Sequence, residues 1–246
     1  MRHKRVAGLG LPDEIPHIPG MTDPPLRLAV FDCDGTLVDS QHAIVTAMAV
    51  AMRSRNLPEP HSDEVRRVVG LPLEAAIARL TPDQPEAEHR RLASVYRSAF
   101  LEAHRRGDSP ERLYPGAREA LEALDMAGVL LGIATGKGRS GLEATLRRHD
   151  LAGRFVTVQT SDRAAGKPAP DMLLRAMEET GVDRSCTVMV GDTVYDMEMA
   201  RNAGVAAVGV SWGYHPSDEL RAAGAMVVVD AFDEVLAHVA TIAEPQ

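Results

Sequence analysis

The chain has 246 residues, 45% of them hydrophobic, a net charge of −8 and two cysteines. Those values suit one large core, or a core plus a smaller module, and exclude a disulfide-stapled scaffold and a sequence-independent grip on nucleic-acid phosphates. No apolar run reaches the ~18 residues needed to span a membrane, so neither a membrane nor a nucleic acid is an expected partner.

In residues 1–25 a basic start, Arg2-His3-Lys4-Arg5, leads into Pro12, Asp13, Glu14 and Pro16 rather than an apolar signal core. No secretion signal is read there, and the breakers predict a flexible extension with Met21 as an alternative start. Leu26–Phe31 then reads as a buried strand of a parallel sheet. It runs directly into Asp32-Cys33-Asp34-Gly35-Thr36, two carboxylates and a glycine turn at a strand's C-terminal end. From Ser40 to about Arg106 the spacing is helical, with Ile44, Met48, Ala51 and Met52 on one face. Breaks at Pro58-Glu59-Pro60, Gly70-Leu71-Pro72, Thr81-Pro82 and Gln84-Pro85 divide this block into roughly four helices.

Beyond Tyr114-Pro115-Gly116 the pattern alternates. It predicts helix 117–127, strand 129–135, helix 140–149, strand 155–159, helix 170–180, strand 187–191, helix 194–203, strand 205–210, a last strand 226–229 and a closing helix. Such alternation predicts a parallel sheet with helices on both faces. The helical block therefore interrupts one α/β domain: residues 26–41 and 113–242 form the core and 42–112 the insert. Cys33 and Cys186 fall at opposite ends of that sheet, unbridged, as in a reducing cytoplasm.

Four segments sit where strands end: the acid pair, Ile133-Ala134-Thr135-Gly136-Lys137, Gly166-Lys167-Pro168-Ala169-Pro170, and Val190-Gly191-Asp192-Thr193-Val194-Tyr195-Asp196. In a doubly wound sheet these loops meet on one rim. Acids, lysine and threonine gathered there suit a divalent cation and a phosphoryl group. Gly35 permits a sharp turn that frees amides to face a phosphate.

In that order the four segments resemble the haloacid dehalogenase-like superfamily. The helical insert resembles its members with a small helical cap on a Rossmann-like core, and Leu37-Val38-Asp39-Ser40, Gly70-Leu71-Pro72 and Ser211-Trp212-Gly213-Tyr214 look closest to phosphoglycolate phosphatases. The resemblance implies that Asp32 attacks phosphorus and becomes an aspartyl-phosphate, with Asp34 as general acid and then base. It implies Mg²⁺ held by the Asp32 and Asp192 carboxylates and the Asp34 backbone carbonyl, with Asp196 binding it directly or orienting a water or Lys167. Lys167 would offset charge on nucleophile and phosphoryl oxygens, and Thr135 and Gly136 would meet the phosphate. Many relatives carry Asn where this chain has Gly136. Lys137 is then either a replacement cation or a solvated lysine.

Several residues read more simply. Thr193 is a helix N-cap, Asp39 and Ser40 read as N-caps rather than substrate contacts, and Trp212-Gly213-Tyr214 reads as a packed loop. Arg66, Arg67 and Gly70-Leu71-Pro72 either line the substrate entrance or are a solvated face and a helix break. The expected protein is a Mg²⁺-dependent phosphatase of a small phosphorylated metabolite, 2-phosphoglycolate first, acting in the cytoplasm as a monomer or homodimer. A sugar phosphomutase, an inorganic pyrophosphatase and a non-enzymatic regulator binding a phosphorylated ligand are the rivals.

Overall fold

The computed structural model describes residues 25–108 and 111–241. The expected N-terminal extension lies outside the described residues except for its last position. In chain order the elements are β1 (Arg27–Phe31), β2 (Val38–Asp39), helices α1 (Gln41–Arg53), α2 (Ser62–Val68), α3 (Leu73–Leu80) and α4 (Glu86–Arg106), then β3 (Arg112–Leu113). Strand and helix then alternate: α5 (Ala117–Met126), β4 (Val129–Thr135), α6 (Arg139–Arg148), β5 (Thr157–Thr160), α7 (Asp171–Thr180), β6 (Thr187–Gly191), α8 (Val194–Ala203), β7 (Ala206–Val210), α9 (Ser217–Ala223), β8 (Val227–Val229) and α10 (Phe232–Thr241).

Six strands form one parallel sheet in the order β5-β4-β1-β6-β7-β8. β1 is apolar on both sides because helices cover both faces. Ala29 and Phe31 pack with Leu121, Leu124, Phe232 and Val235 from α5 and α10. The alternate residues Leu28 and Val30 pack with Met172, Leu173, Met197 and Ala200 from α7 and α8. From β1 the chain steps outward to β4 and β5, then returns to β6 on the other side of β1. That reversal opens a crevice at the C-terminal ends of β4, β1 and β6, where ligands of such sheets bind.

The helices α1 to α4 bury their own apolar cluster, in which Ala47, Met48, Ala51 and Met52 of α1 meet Leu92, Ala93 and Phe100 of α4. Their spacing of three and four places them on one helix face. Gly107, at φ 73°, stops α4. β2 and β3 pair antiparallel, Val38 with Leu113 and Asp39 with Arg112, where the chain leaves the sheet domain and re-enters it. This ribbon and α9 had no counterpart in the sequence reading: two-residue strands carry no periodicity, and α9 is only seven residues long. β5 starts two residues later than expected. Phe155 is buried as a loop residue ahead of the strand, and the Val156 amide already donates to the Leu131 carbonyl at 2.9 Å. Among the described residues no helix is long and apolar enough to cross a membrane.

Candidate active site

Asp32 leaves β1 with its amide still bonded to the Val190 carbonyl of β6 at 2.9 Å, so the ladder fixes where its side chain starts. The carboxylate is buried, with Oδ1 2.9 Å from the Nζ of Lys167. Lys167 Nζ also lies 2.6 Å from Asp196 Oδ1, and its own side chain is fully buried. Asp196 is tied to the start of α8 by a reciprocal cap: its Oδ2 accepts from the Thr193 amide at 3.0 Å and the Thr193 hydroxyl at 2.7 Å, and that hydroxyl accepts from the Asp196 amide at 3.3 Å. Asp192, at the end of β6, accepts from the Thr36 hydroxyl at 2.7 Å and the Tyr214 amide at 2.9 Å.

One carboxylate oxygen each from Asp32, Asp192 and Asp196 lies within 4.8 Å of the others. Three buried carboxylates thus crowd together around a single ammonium that pairs with two of them, Asp32 and Asp196. Burial, opposed by Lys167 and reinforced by Asp196 and Asp34, pushes the Asp32 carboxyl up to about 7. Asp192 is raised well above the usual carboxylate range by burial and by the neighbouring Asp32 and Asp196. For Lys167 burial works against the charge, but Asp196 and Asp32 outweigh it and hold the ammonium protonated. Excess negative charge on oxygen donors is the setting a hard divalent cation satisfies, so the residues fit such an ion.

Asp34 belongs to a second buried network. Its Oδ1 accepts from the Ser40 hydroxyl at 2.6 Å and lies 2.8 Å from Lys137 Nζ. Lys137 Nζ is also 3.7 Å from Glu111 Oε1, donates to the Thr145 hydroxyl at 3.2 Å, and sits 4.6 Å over the Phe100 ring of α4. Burial disfavours that ammonium, yet Asp34, Cys33 and Glu111 together raise its affinity for the proton. The Thr135 hydroxyl, at the end of β4, accepts from the Lys137 amide at 3.2 Å and so orients the start of this loop.

The turn between β1 and β2 bends sharply at Gly35, as the glycine predicts: φ is +89°, and a Cβ there would lie 2.2 Å from Asp192 Oδ2. The amide of Gly35 itself donates to the Val38 carbonyl at 2.9 Å. Gly136 is explained by the helical insert. A Cβ on it would lie 2.6 Å from the carbonyl oxygens of both Gly70 and Leu71, so the insert's backbone occupies the space that an Asn side chain would take. Gly166 meets Pro72 in the same way, a Cβ there falling 2.0 Å from the proline ring. Between this loop and the strand ends lies a cavity of about 530 Å³ with Asp32, Asp34, Thr135, Gly136 and Lys137 among its lining.

Every residue expected at the site is therefore on this rim: Asp32, Lys167, Asp192 and Asp196 form one cluster, Asp34, Lys137 and Thr135 another, and Gly136 lies between Thr135 and Lys137 in the cavity lining. Lys137 is buried against Asp34 rather than solvated. Ser40 occupies the N-cap position of α1 but makes no cap bond with its side chain, which holds Asp34 instead. Tyr214 is more than a packed loop residue, since its amide bonds Asp192 and its hydroxyl lies 3.2 Å from Ser40 Oγ. Arg67 pairs with Glu219 of α9 at 2.5 Å and lies outside the cavity, whereas Gly70-Leu71-Pro72 lines it. Glu111 carried no sequence signal, because its partners are remote in the chain.

A sequence model of haloacid dehalogenase-like hydrolases matches residues 29–210. A protein named "Probable phosphatase IndB" from Dickeya dadantii is 40% identical over 215 residues, spanning 85% of this chain and 91% of that protein. A phosphoglycolate phosphatase from Vibrio parahaemolyticus is 30% identical over 231 residues, or 91% of this chain and 100% of its own. A solved structure of a hydrolase from Pseudomonas syringae superposes with a TM-score of 0.79 at 28% identity, covering 89% of this chain and 100% of the other.

Proposed function

The chain belongs to the haloacid dehalogenase-like hydrolase family and is a phosphoric monoester hydrolase; from that premise we propose that it works with Mg²⁺ and an aspartyl-phosphate on Asp32. The observation that carries this reading is the Asp32–Lys167–Asp196 pairing beside Asp192, a nucleophile and cation-binding acids in one buried cluster. The Asp32 and Asp192 carboxylates and the Asp34 backbone carbonyl would hold the ion, with Asp196 as a further ligand or as the anchor of Lys167. Bound there, the ion supplies positive charge that offsets repulsion between a dianionic ester and Asp32.

The rest falls to the chain's own groups. A carboxylate oxygen of Asp32 attacks phosphorus as the bond from phosphorus to the alcohol oxygen breaks, while Asp34 donates a proton to that departing oxygen. Asp34 then takes a proton from water as the water oxygen attacks phosphorus, the bond to Asp32 breaks and orthophosphate leaves. Ser40 and Lys137 set the direction in which the Asp34 carboxyl faces. Lys167 keeps Asp32 oriented and shares its charge with the phosphoryl oxygens. The helical cap, residues 42–112 in this reading, covers the site and keeps bulk water from the acyl-phosphate.

2-Phosphoglycolate is the candidate that the likeness to phosphoglycolate phosphatases puts forward, and the unpaired Cys33 and Cys186 support a reducing cytoplasm. In this reading the protein acts as a monomer or a homodimer. The test is orthophosphate release from a panel of phosphate esters, 2-phosphoglycolate included, with Mg²⁺ and with chelator. Mg²⁺-dependent release by wild type and none by Asp32→Asn is expected; equal release by both proteins contradicts the reading.

A further inference from the structure

The cavity over the acid rim has a size, a wall and a charge that together speak to the alcohol part of the substrate. Its volume is about 530 Å³, within the range of roughly 300–1,000 Å³ that encloses drug-sized ligands and far more than a two-carbon glycolate fills. Away from the rim the wall is supplied by the cap and is largely apolar: Ile44, Val65, Val69, Leu71, Tyr96 and Phe100. Tyr96 and Phe100 stand one turn apart on α4 as a stacked pair, ring centroids 6.1 Å apart and planes inclined by 18°, and both line the cavity, with the Lys137 ammonium over the Phe100 ring.

The charge points the same way. Lining the cavity are four carboxylates (Asp32, Asp34, Glu74 and Asp162) and two cations (Lys137 and Arg97). Both cations already have acidic partners. Lys137 lies 2.8 Å from Asp34, and Arg97 Nη2 lies 3.2 Å from Glu74 Oε1 at the cavity's outer wall. Lys167 and a bound divalent ion can serve the phosphate on the rim, but a second anionic group on the alcohol would enter a region of net negative charge with no uncommitted cation lining it. Like charges brought together in a partly closed site are strongly disfavoured.

We propose that the preferred substrates are phosphate esters of neutral, ring-bearing alcohols, in which the phosphate reaches the acid rim and the ring lies against Tyr96, Phe100 and the Gly70–Leu71 loop. This inference rests on the phosphatase reading and ranks such esters above 2-phosphoglycolate. A phosphorylated pyranose and a nucleoside 5′-monophosphate share the chemistry, and the assay separates them.

The experiment measures initial rates of orthophosphate release by the full chain with Mg²⁺ on glucose 6-phosphate, uridine 5′-monophosphate, 2-phosphoglycolate and p-nitrophenyl phosphate. At least one of the two neutral-ring esters is expected to exceed 2-phosphoglycolate in kcat/KM by roughly tenfold or more, and the better of them identifies the ring. Turnover of 2-phosphoglycolate equal to or better than both overturns the inference and leaves the phosphatase reading standing. No release from any ester, p-nitrophenyl phosphate included, overturns both. Glu74→Gln frees Arg97, so it is expected to raise kcat/KM for 2-phosphoglycolate relative to the ring esters several-fold. Val69→Phe, which fills part of the cavity, is expected to lower the ring esters more than 2-phosphoglycolate. An unchanged ratio in both variants also overturns the inference.

Discussion

The rim of the sheet and the wall of the cap face the same cavity and are built on opposite terms. On the rim nearly every polar group is buried and engaged: Lys167 by two aspartates, Asp192 by Thr36 and Tyr214, Asp34 by Ser40 and Lys137. On the cap the wall is apolar and its ion pair, Arg97 with Glu74, is half exposed. Paired buried charges hold a fixed geometry because losing a partner is costly, whereas an apolar wall with solvated charges can change residue by residue at small cost. In the proposed reading, bond-making belongs to the rim and choice of alcohol to the cap.

Substitutions that split these roles sharpen the comparison. The largest effect is expected for Asp32→Asn, with turnover falling on the order of 10⁴-fold. Its thermal midpoint should not fall, because removing one of three crowded carboxylates relieves repulsion. A melt run beside the activity assay checks both halves. Next comes Lys137→Met, which takes the ammonium from Asp34 and Glu111, leaving Asp34 with the Ser40 hydroxyl and Glu111 with Thr145 and His104, and is expected to cost about 3 kcal/mol in denaturant unfolding. Glu111→Gln in the same chain should recover part of that loss, and a double-mutant cycle measures the recovery. If Lys137→Met leaves stability unchanged, the second cluster is not the fixed scaffold described above.

Metal dependence is the third lever. Mg²⁺ at about 100 times its dissociation constant adds about 2.7 kcal/mol to the stability of the folded state, which should shift the thermal midpoint of this chain upward by several degrees. The shift should be largely lost in Asp192→Asn. Gly136→Ala tests the seam between rim and cap: its Cβ would meet two backbone carbonyls at 2.6 Å, and backbone cannot yield as a side-chain tip can. A cost of about 1–3 kcal/mol is expected, appearing as a raised KM with a smaller change in kcat if the cap is displaced.

The smallest effect is expected at the outer contact between cap and core. There Arg79 Nη1 donates to the Tyr195 hydroxyl at 2.6 Å and its guanidinium lies 5.3 Å from that ring's centroid, while the Tyr195 hydroxyl donates to the Arg67 carbonyl at 2.9 Å. Arg79→Ala should cost about 1 kcal/mol or less and show itself mainly as faster amide exchange in α3.

The same division governs what could be read from the chain. β1, the alternating strands and helices and the rim residues Asp32, Asp34, Thr135, Lys167, Asp192 and Asp196 were legible, because strand ends in a parallel sheet meet on one edge and motif order survives in the sequence. Ser40, Tyr214 and Glu111 were not. Each acts through a partner remote in the chain or through a conformation that only the folded turn imposes: Ser40 looked like a cap because it stands at a cap position, yet its hydroxyl turns to Asp34. Gly136 stands where many relatives carry Asn, and only the approach of the Gly70 and Leu71 carbonyls to it shows why a side chain is excluded.

The central claim is that Asp32 carries the phosphoryl group. With p-nitrophenyl phosphate and Mg²⁺, acid quench within the first turnover followed by borohydride reduction should convert the phosphorylated aspartate to homoserine, and peptide mass spectrometry should find that change at residue 32 in wild type and nowhere in Asp32→Asn. Homoserine at another aspartate, or Mg²⁺-dependent hydrolysis persisting in Asp32→Asn, would contradict the account.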